Sequence, residues 1–232
     1  MNKINITNLQ SSKTQGGFTL IEIAIVLVII GLLLGGVLQG QQLIENSRIR
    51  NATNSFNGIA AGAFSYQDRY GRMPGDDSAG DSADATVIQA RGDAWASVSP
   101  GDGDGIVDAA LASTFTGAEE VGDFFQHMRA AGFLAGDADL ADANALPQNP
   151  FGGLIGITTA AMGGGMNGTK VCMSNVNGSA AIALDTQLDD GDSDGGRFRA
   201  TTGVAGANTA PDNAGATGAY TEDDIYTVCY RI

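Results

Sequence analysis

The sequence predicts an α+β protein in which one long amino-terminal helix, apolar all round in its first half and amphipathic in its second, lies on a small antiparallel sheet. Three observations carry this expectation. Residues 18–38 are an almost unbroken aliphatic run, residues 49–70 place apolar side chains three and four apart, and the last third holds short β-rich stretches between glycine-rich turns.

The chain opens with a polar, basic leader. Residues 1–17 contain Lys3 and Lys13 and no acid, and end in SSKTQGG. The apolar run behind it has 21 residues, and about 20 helical residues match a hydrocarbon core of about 30 Å. It is long enough to span a bilayer, with the basic flank left in the cytoplasm. An ordinary secretory cleavage site would follow the run, where Leu34, Gly35, Gly36 and Val37 make a poor small-residue motif. The run also carries a carboxylate, Glu22. An acid deep in such a helix costs roughly 2.5–3.5 kcal/mol on insertion scales. Either a cationic partner offsets that cost, or the carboxyl snorkels to the interface or sits protonated.

Gly17-Phe18-Thr19-Leu20-Ile21-Glu22, behind a basic leader and ahead of an apolar run, resembles the class III signal of type IV pilins and type II secretion pseudopilins. The resemblance rests on about residues 13–40. It implies that a prepilin peptidase cuts after Gly17 and methylates the new terminus on Phe18; removing 17 of the 232 residues leaves 215. It also implies that Glu22 meets the Phe18 ammonium of a neighbouring subunit, and that the product is a homo-oligomeric helical filament. An assembly ATPase and a platform protein are the further partners it brings. The precursor would then sit in the inner membrane and the filament outside it. A surface pilus and a secretion pseudopilus both fit, and a membrane-anchored calcium- or ligand-binding head that never polymerises is the reading from another class.

Beyond the membrane run the helix is expected to continue to about residue 70. Ile49, Ala52, Phe56, Ile59, Ala63, Tyr66 and Tyr70 share one face. Gly31, Gly35, Gly36 and Gly40 weaken its middle or allow close packing, and the proline usual in pilins at that place is lacking. Pro74 and Gly75-Asp76 end the helix in a turn. The domains therefore read as leader 1–17, membrane and filament-core helix 18–40, amphipathic helix 41–74, acidic connection 75–150 and sheet head 151–232. The connection holds one short helix in EEVGDFFQHMRAAGFLAG, with Val121, Phe124, Phe125 and Met128 as its stripe, Glu119 and Glu120 at its start, and Gly132 or Gly136 at its end. His127, the one histidine, reads as structural.

In the last third, TKVCMS, GRFRATT and DIYTVCYRI are the strand candidates, and residues 179–190 have helical spacing with Gly191 as a stop. Residues 203–218 form a small-residue loop, expected to be exposed and mobile. Cys172 and Cys229 each fall in a predicted strand, and an exported chain meets an oxidising compartment, so a disulfide between them is expected. Many pilins staple their C-terminal region with a similarly placed pair.

Acids number 26, all after the leader, against ten bases there, a side-chain charge of −16 for the processed chain. With no Lys/Arg cluster, nucleic acid is not a default partner. PGDGDGIVD places Asp102, Asp104 and Asp108 at spacings like the middle of a calcium loop, with Gly105 for the turn. An EF-hand register would put Pro100 and Leu111 at ligand positions, so the full motif fails. Calcium through these three aspartates and a solvated acidic turn both remain open, and the acidic stretch LDDGDSDGG at 188–196 reads either as a second metal candidate or as a helix stop and turn. No cofactor is required, and no nucleophile–base pair or phosphate-cradling loop turns up, so the chain is not expected to be an enzyme.

Overall fold

The structure, a computed structural model, describes residues 17–78, 84–163, 165–193, 195–214 and 219–232. The expectations for residues 1–16 and 215–218 and for Asp194 lie outside it. Four α-helices occur among the described residues, α1 (Leu20–Tyr70), α2 (Ala85–Gln89), α3 (Glu120–Ala130) and α4 (Gly178–Leu188), with four strands, β1 (Ile155–Thr158), β2 (Lys170–Asn177), β3 (Phe198–Thr202) and β4 (Ile225–Arg231). The strands form one antiparallel sheet in the order β1-β2-β4-β3. The fold is the α+β arrangement of a long helix and a small sheet.

The chain divides into two compact units, Met1–Ile44 and Glu45–Ile232. In the first, α1 is the one described helix long and apolar enough to cross a membrane, and its apolar side chains are uncovered among the described residues of that unit: Leu20 is 89% exposed and Leu32 74%. In the second, the same helix has a buried face. Ile49, Ala52, Phe56, Ile59, Ala63 and Tyr66 are buried as their spacing predicts, with Gly62 between them and Tyr70 half-buried at the end. Phe56 meets the sheet edge-on, its ring 6.0 Å from Phe198 and 5.9 Å from Tyr230. Such pairs prefer this geometry because the positive ring edge faces the negative ring face.

The helix ends at Tyr70, before Pro74 is reached. Gly71 adopts φ +75° and its N–H donates to Gln67 O at 2.8 Å, a left-handed cap that glycine takes without steric cost. α3 ends in the same way at Gly132, not Gly136. Gly132 N–H donates to Arg129 O and Phe133 N–H to Met128 O, the paired bonds of a Schellman motif.

β2, β3 and β4 fall where their β-formers predict, and Cys172 pairs with Cys229 across β2 and β4, where the two form the expected disulfide. β2 is bulged between Met173 and Val176. α2 and β1 were not expected. β1, in the small-residue stretch GGLIGITTAAMGGG, has too few large side chains to announce itself, and it uses that smallness: a Cβ on Gly156 would stand 1.8 Å from Thr114 O. The loop after β3 is mostly exposed in its first part, as expected, and three side chains tie it to the sheet: Gly206 N–H donates to Asn175 Oδ1, Asn208 Oδ1 accepts from Ser174 Oγ and Leu154 N–H, and Thr209 O accepts from Thr227 Oγ1. Polar side chains on β2 and β4 supplied the anchors that a pattern of apolar spacing does not register.

Candidate processing segment and candidate metal centre

Residues 17–19 precede the helix in non-helical backbone, with Gly17 and Phe18 both exposed. The first turn is then closed by side chains. Glu22 Oε2 accepts from Thr19 N–H at 2.8 Å and from Thr19 Oγ1 at 2.7 Å, while Glu22 N–H donates to Thr19 Oγ1 at 3.4 Å. This is the reciprocal capping box, in which a Thr and a Glu three residues apart satisfy amides left without partners at a helix start. The sequence holds its signature, Thr-x-x-Glu, and reading Glu22 only as a charge in an apolar run passes over it.

In the head, the described residues bring a different acidic trio together from the one expected. Ligand oxygens of Asp76, Asp102 and Glu120 lie within 4.8 Å of one another. Asp104 and Asp108 stand outside this cluster. Asp104 Oδ1 accepts from Ile106 N–H at 2.8 Å in a local turn, and Asp108 is exposed beside an open pocket it lines with Ile106 and Glu119. The correction has a physical reason. Short-range spacing finds oxygens within one loop, whereas here the loop folds over two carboxylates from elsewhere, one from the turn after α1 and one from the start of α3.

Glu120 organises that loop. Its two oxygens accept from Asp102 N–H at 2.9 Å and Asp108 N–H at 2.8 Å, and Asp76 Oδ1 accepts from Gly105 N–H at 3.2 Å. Asp76 and Glu120 are 2% and 7% exposed. Burial, with the charges of Asp102 and Asp76 behind it, pushes the Glu120 carboxyl up to about 7 despite its two amide donors, and burial likewise raises Asp76.

The turn that presents Asp76 is locked from three sides. Arg91 grips Asp77 with both terminal nitrogens, at 2.6 and 3.1 Å, and Tyr66 OH donates to the same carboxylate at 2.6 Å. Burial opposes the charge on Asp77, yet these partners hold its carboxyl below the ordinary range. His127 Nδ1 accepts from Gly75 N–H at 2.9 Å and Nε2 lies 2.7 Å from Ser99 O, so the ring is neutral with its proton on Nε2. Burial pushes it down to about 4. The structural reading of His127 holds. Gly101 lets the loop close in, since a Cβ there would lie 2.1 Å from Gly75 O.

The second acidic stretch brings Asp185, Asp189 and Asp190 together. Its carboxylates are already engaged: Asp185 accepts from Tyr220 OH at 2.6 Å and Gly191 N–H at 3.0 Å, and Asp189 accepts from the amides of Arg197 and Phe198. These bonds build a helix stop and turn around the cluster.

Residues 12–38 match the family described as the prokaryotic N-terminal methylation motif. The chain carries a class III signal peptide. This is the signal of type IV pilins and pseudopilins, a motif that points to a structural protein, and with the apolar helix it fits a membrane-anchored, pilin-like precursor. No curated protein and no solved structure matches the chain.

Proposed function

We propose that the chain is the structural subunit of a type IV pilus-like filament, cut after Gly17, methylated on Phe18 and polymerised from the inner membrane. One observation carries the reading beyond the pilin-type signal. The first unit exposes a whole helix of aliphatic side chains while the second has a complete core of its own. A bilayer and then a bundle of identical helices supply the two successive environments that keep such a surface out of water. Glu22 is the register device. In the filament core its carboxylate meets the Phe18 ammonium of a neighbour, and in a low-dielectric interior each charge neutralises the other better than either could be hydrated there. A surface pilus is preferred over a secretion pseudopilus because the long 75–150 region enlarges the head.

The test is assembly in the native host. Mass spectrometry of sheared filaments should find an N-methylated Phe18, and Glu22→Ala should leave the subunit in the membrane and deplete the sheared fraction. An intact Met1 on assembled protein, or normal filaments from Glu22→Ala, would overturn the proposal.

A second reading concerns calcium. Asp76, Asp102 and Glu120 present only oxygen donors, which suit a hard divalent cation. Bound there, it would neutralise three crowded carboxylates and tie the turn after α1, loop 101–108 and the start of α3 together. Calcium should raise the melting temperature of the protein by mass action, and a chelator should reverse the rise. Glu120→Gln should lose the response; a melting curve indifferent to millimolar calcium would leave the solvated acidic turn.

A further inference from the structure

The second unit carries an apolar groove on one side of α1 and an exposed aromatic ring on another, and the inference rests on the assembly role proposed for the chain. The groove, about 210 Å³, is lined by Ser55 and Gly58 of α1 and by Phe133, Leu134, Gln148 and Ile155 from the segments beside it. An apolar cavity of about 150 Å³ takes a benzene ring, so this one has room for an aromatic side chain. None of its lining residues is charged, in a chain of net charge −14, so a second copy can approach here without like charges meeting. Gly58 keeps the groove open. Glycine is, proline apart, the residue least suited to a helix interior, and a Cβ at this position would meet nothing within 4 Å. Phe64 is the counterpart. It is 54% exposed and is the one exposed aromatic side chain among the described residues of this unit. At about 100° per residue it points about 120° round the helix from Gly58 and about 180° from Ser55, so it cannot enter the groove of its own chain.

We propose that the groove receives Phe64 of a second copy. Groove and ring lie on different sides of one helix, so every copy offers both halves of the contact. The pairing is therefore heterologous, passing from copy to copy to form a ring or an open helix and not a two-fold pair. Where the α1 helices run parallel, the six residues from Gly58 to Phe64 offset successive copies by about 9 Å along the axis, and such an offset opens the ring into a helix. Seating the ring takes apolar surface of both copies out of water and gives the head a contact with its neighbour that is separate from the residue 18–38 bundle. An aromatic anchor filling an uncharged pocket is where interface energy concentrates.

The experiment uses the full chain in an assembly-competent strain. The two native cysteines are bonded to each other, so Gln67→Cys, exposed one turn beyond Phe64, and Gln148→Cys, exposed at the groove, each add one free thiol. A short thiol-to-thiol cross-linker should join the two variants into a dimer when they are co-expressed, and should join neither to itself. Gly58→Leu fills the groove with a better helix former. Its ratio of sheared extracellular to membrane-held subunit should fall about tenfold, while the melting temperature of the solubilised chain holds or rises. Gly58→Ala leaves room for the ring and should keep the parental ratio. Phe64→Ser should match Gly58→Leu, and the double variant should lose no more than either alone, because both remove one contact. Filaments without the mixed dimer, or a parental ratio for Gly58→Leu and Phe64→Ser, would overturn the proposal and leave the assembly role standing. A parent chain that makes no filament would remove the assembly role, and this contact with it.

Discussion

The two parts of α1 treat apolar side chains in opposite ways. Up to residue 44 they are exposed all round, while from Ile49 to Tyr66 one face is closed by the head and the opposite face is mostly polar or small, with Phe64 the large exception. One helix therefore has two stabilities. The head owes its part of α1 to contacts inside the chain. The first part must draw its stability from a bilayer or from other copies, because isolated helices gain little from propensity alone.

The sharpest way to break the comparison is a pair of truncations at matched chemistry. Phe56→Ala empties a site between α1 and the sheet and should destabilise the detergent-solubilised chain by about 3–5 kcal/mol, read as a fall in denaturation midpoint. Leu32→Ala should leave that midpoint within about 0.5 kcal/mol while it weakens filaments. A comparable loss from both would mean that the first part of α1 is held by its own chain after all.

Next in size is Arg91→Ala. It leaves Asp77, 1% exposed, without its cation, and breaking a buried pair from one side costs about 3–5 kcal/mol when the site is dry; with Tyr66 still donating and Arg91 itself partly open, about 2 kcal/mol is expected. Removal of the disulfide by Cys172→Ala with Cys229→Ala should cost a similar amount, about 2–4 kcal/mol, confined to the head.

The smallest effect is a pH dependence belonging to the head alone. Glu120 has its folded carboxyl raised to about 7 and Asp123 and Asp185 to about 6, all above their unfolded values, so each contributes stability at low pH that is lost as pH rises through those values. His127 has the opposite sign. Its folded value, about 4, lies below the unfolded one, so its contribution is present above about 6.5 and is lost as pH falls toward 4. Without added cation the raised carboxyls outweigh the one imidazole, so the head should weaken by about 1–2 kcal/mol from pH 5 toward pH 8. Calcium, if it binds the Asp76 trio, should flatten the alkaline limb. Melting curves at pH 5 and 8, with calcium and with chelator, measure both effects, and Glu120→Gln should reduce the slope, most clearly between pH 6 and 7.

What was legible in the sequence follows one physical rule: it was written in neighbours. The helix to Tyr70, its buried face, the Val121 to Met128 stripe and three of the four strands depend on local periodicity, which side chains a few residues apart determine. The methylation motif is also local, with Gly17 to Glu22 making six residues beside an apolar run. The capping box was legible there too, since Thr19 and Glu22 sit at its required spacing. Tertiary structure decided the rest. It chose Asp76 and Glu120 in place of Asp104 and Asp108 as companions of Asp102, because three separate chain segments meet there and spacing along one of them carries no trace of the other two. It made β1 a strand by pairing it with β2, and it turned the polar side chains Glu120, Gln126 and His127 of α3 inward to hold loop amides and carbonyls. A buried polar side chain is stable only with partners in place, and which partners arrive is settled by the fold, not by the residues on either side.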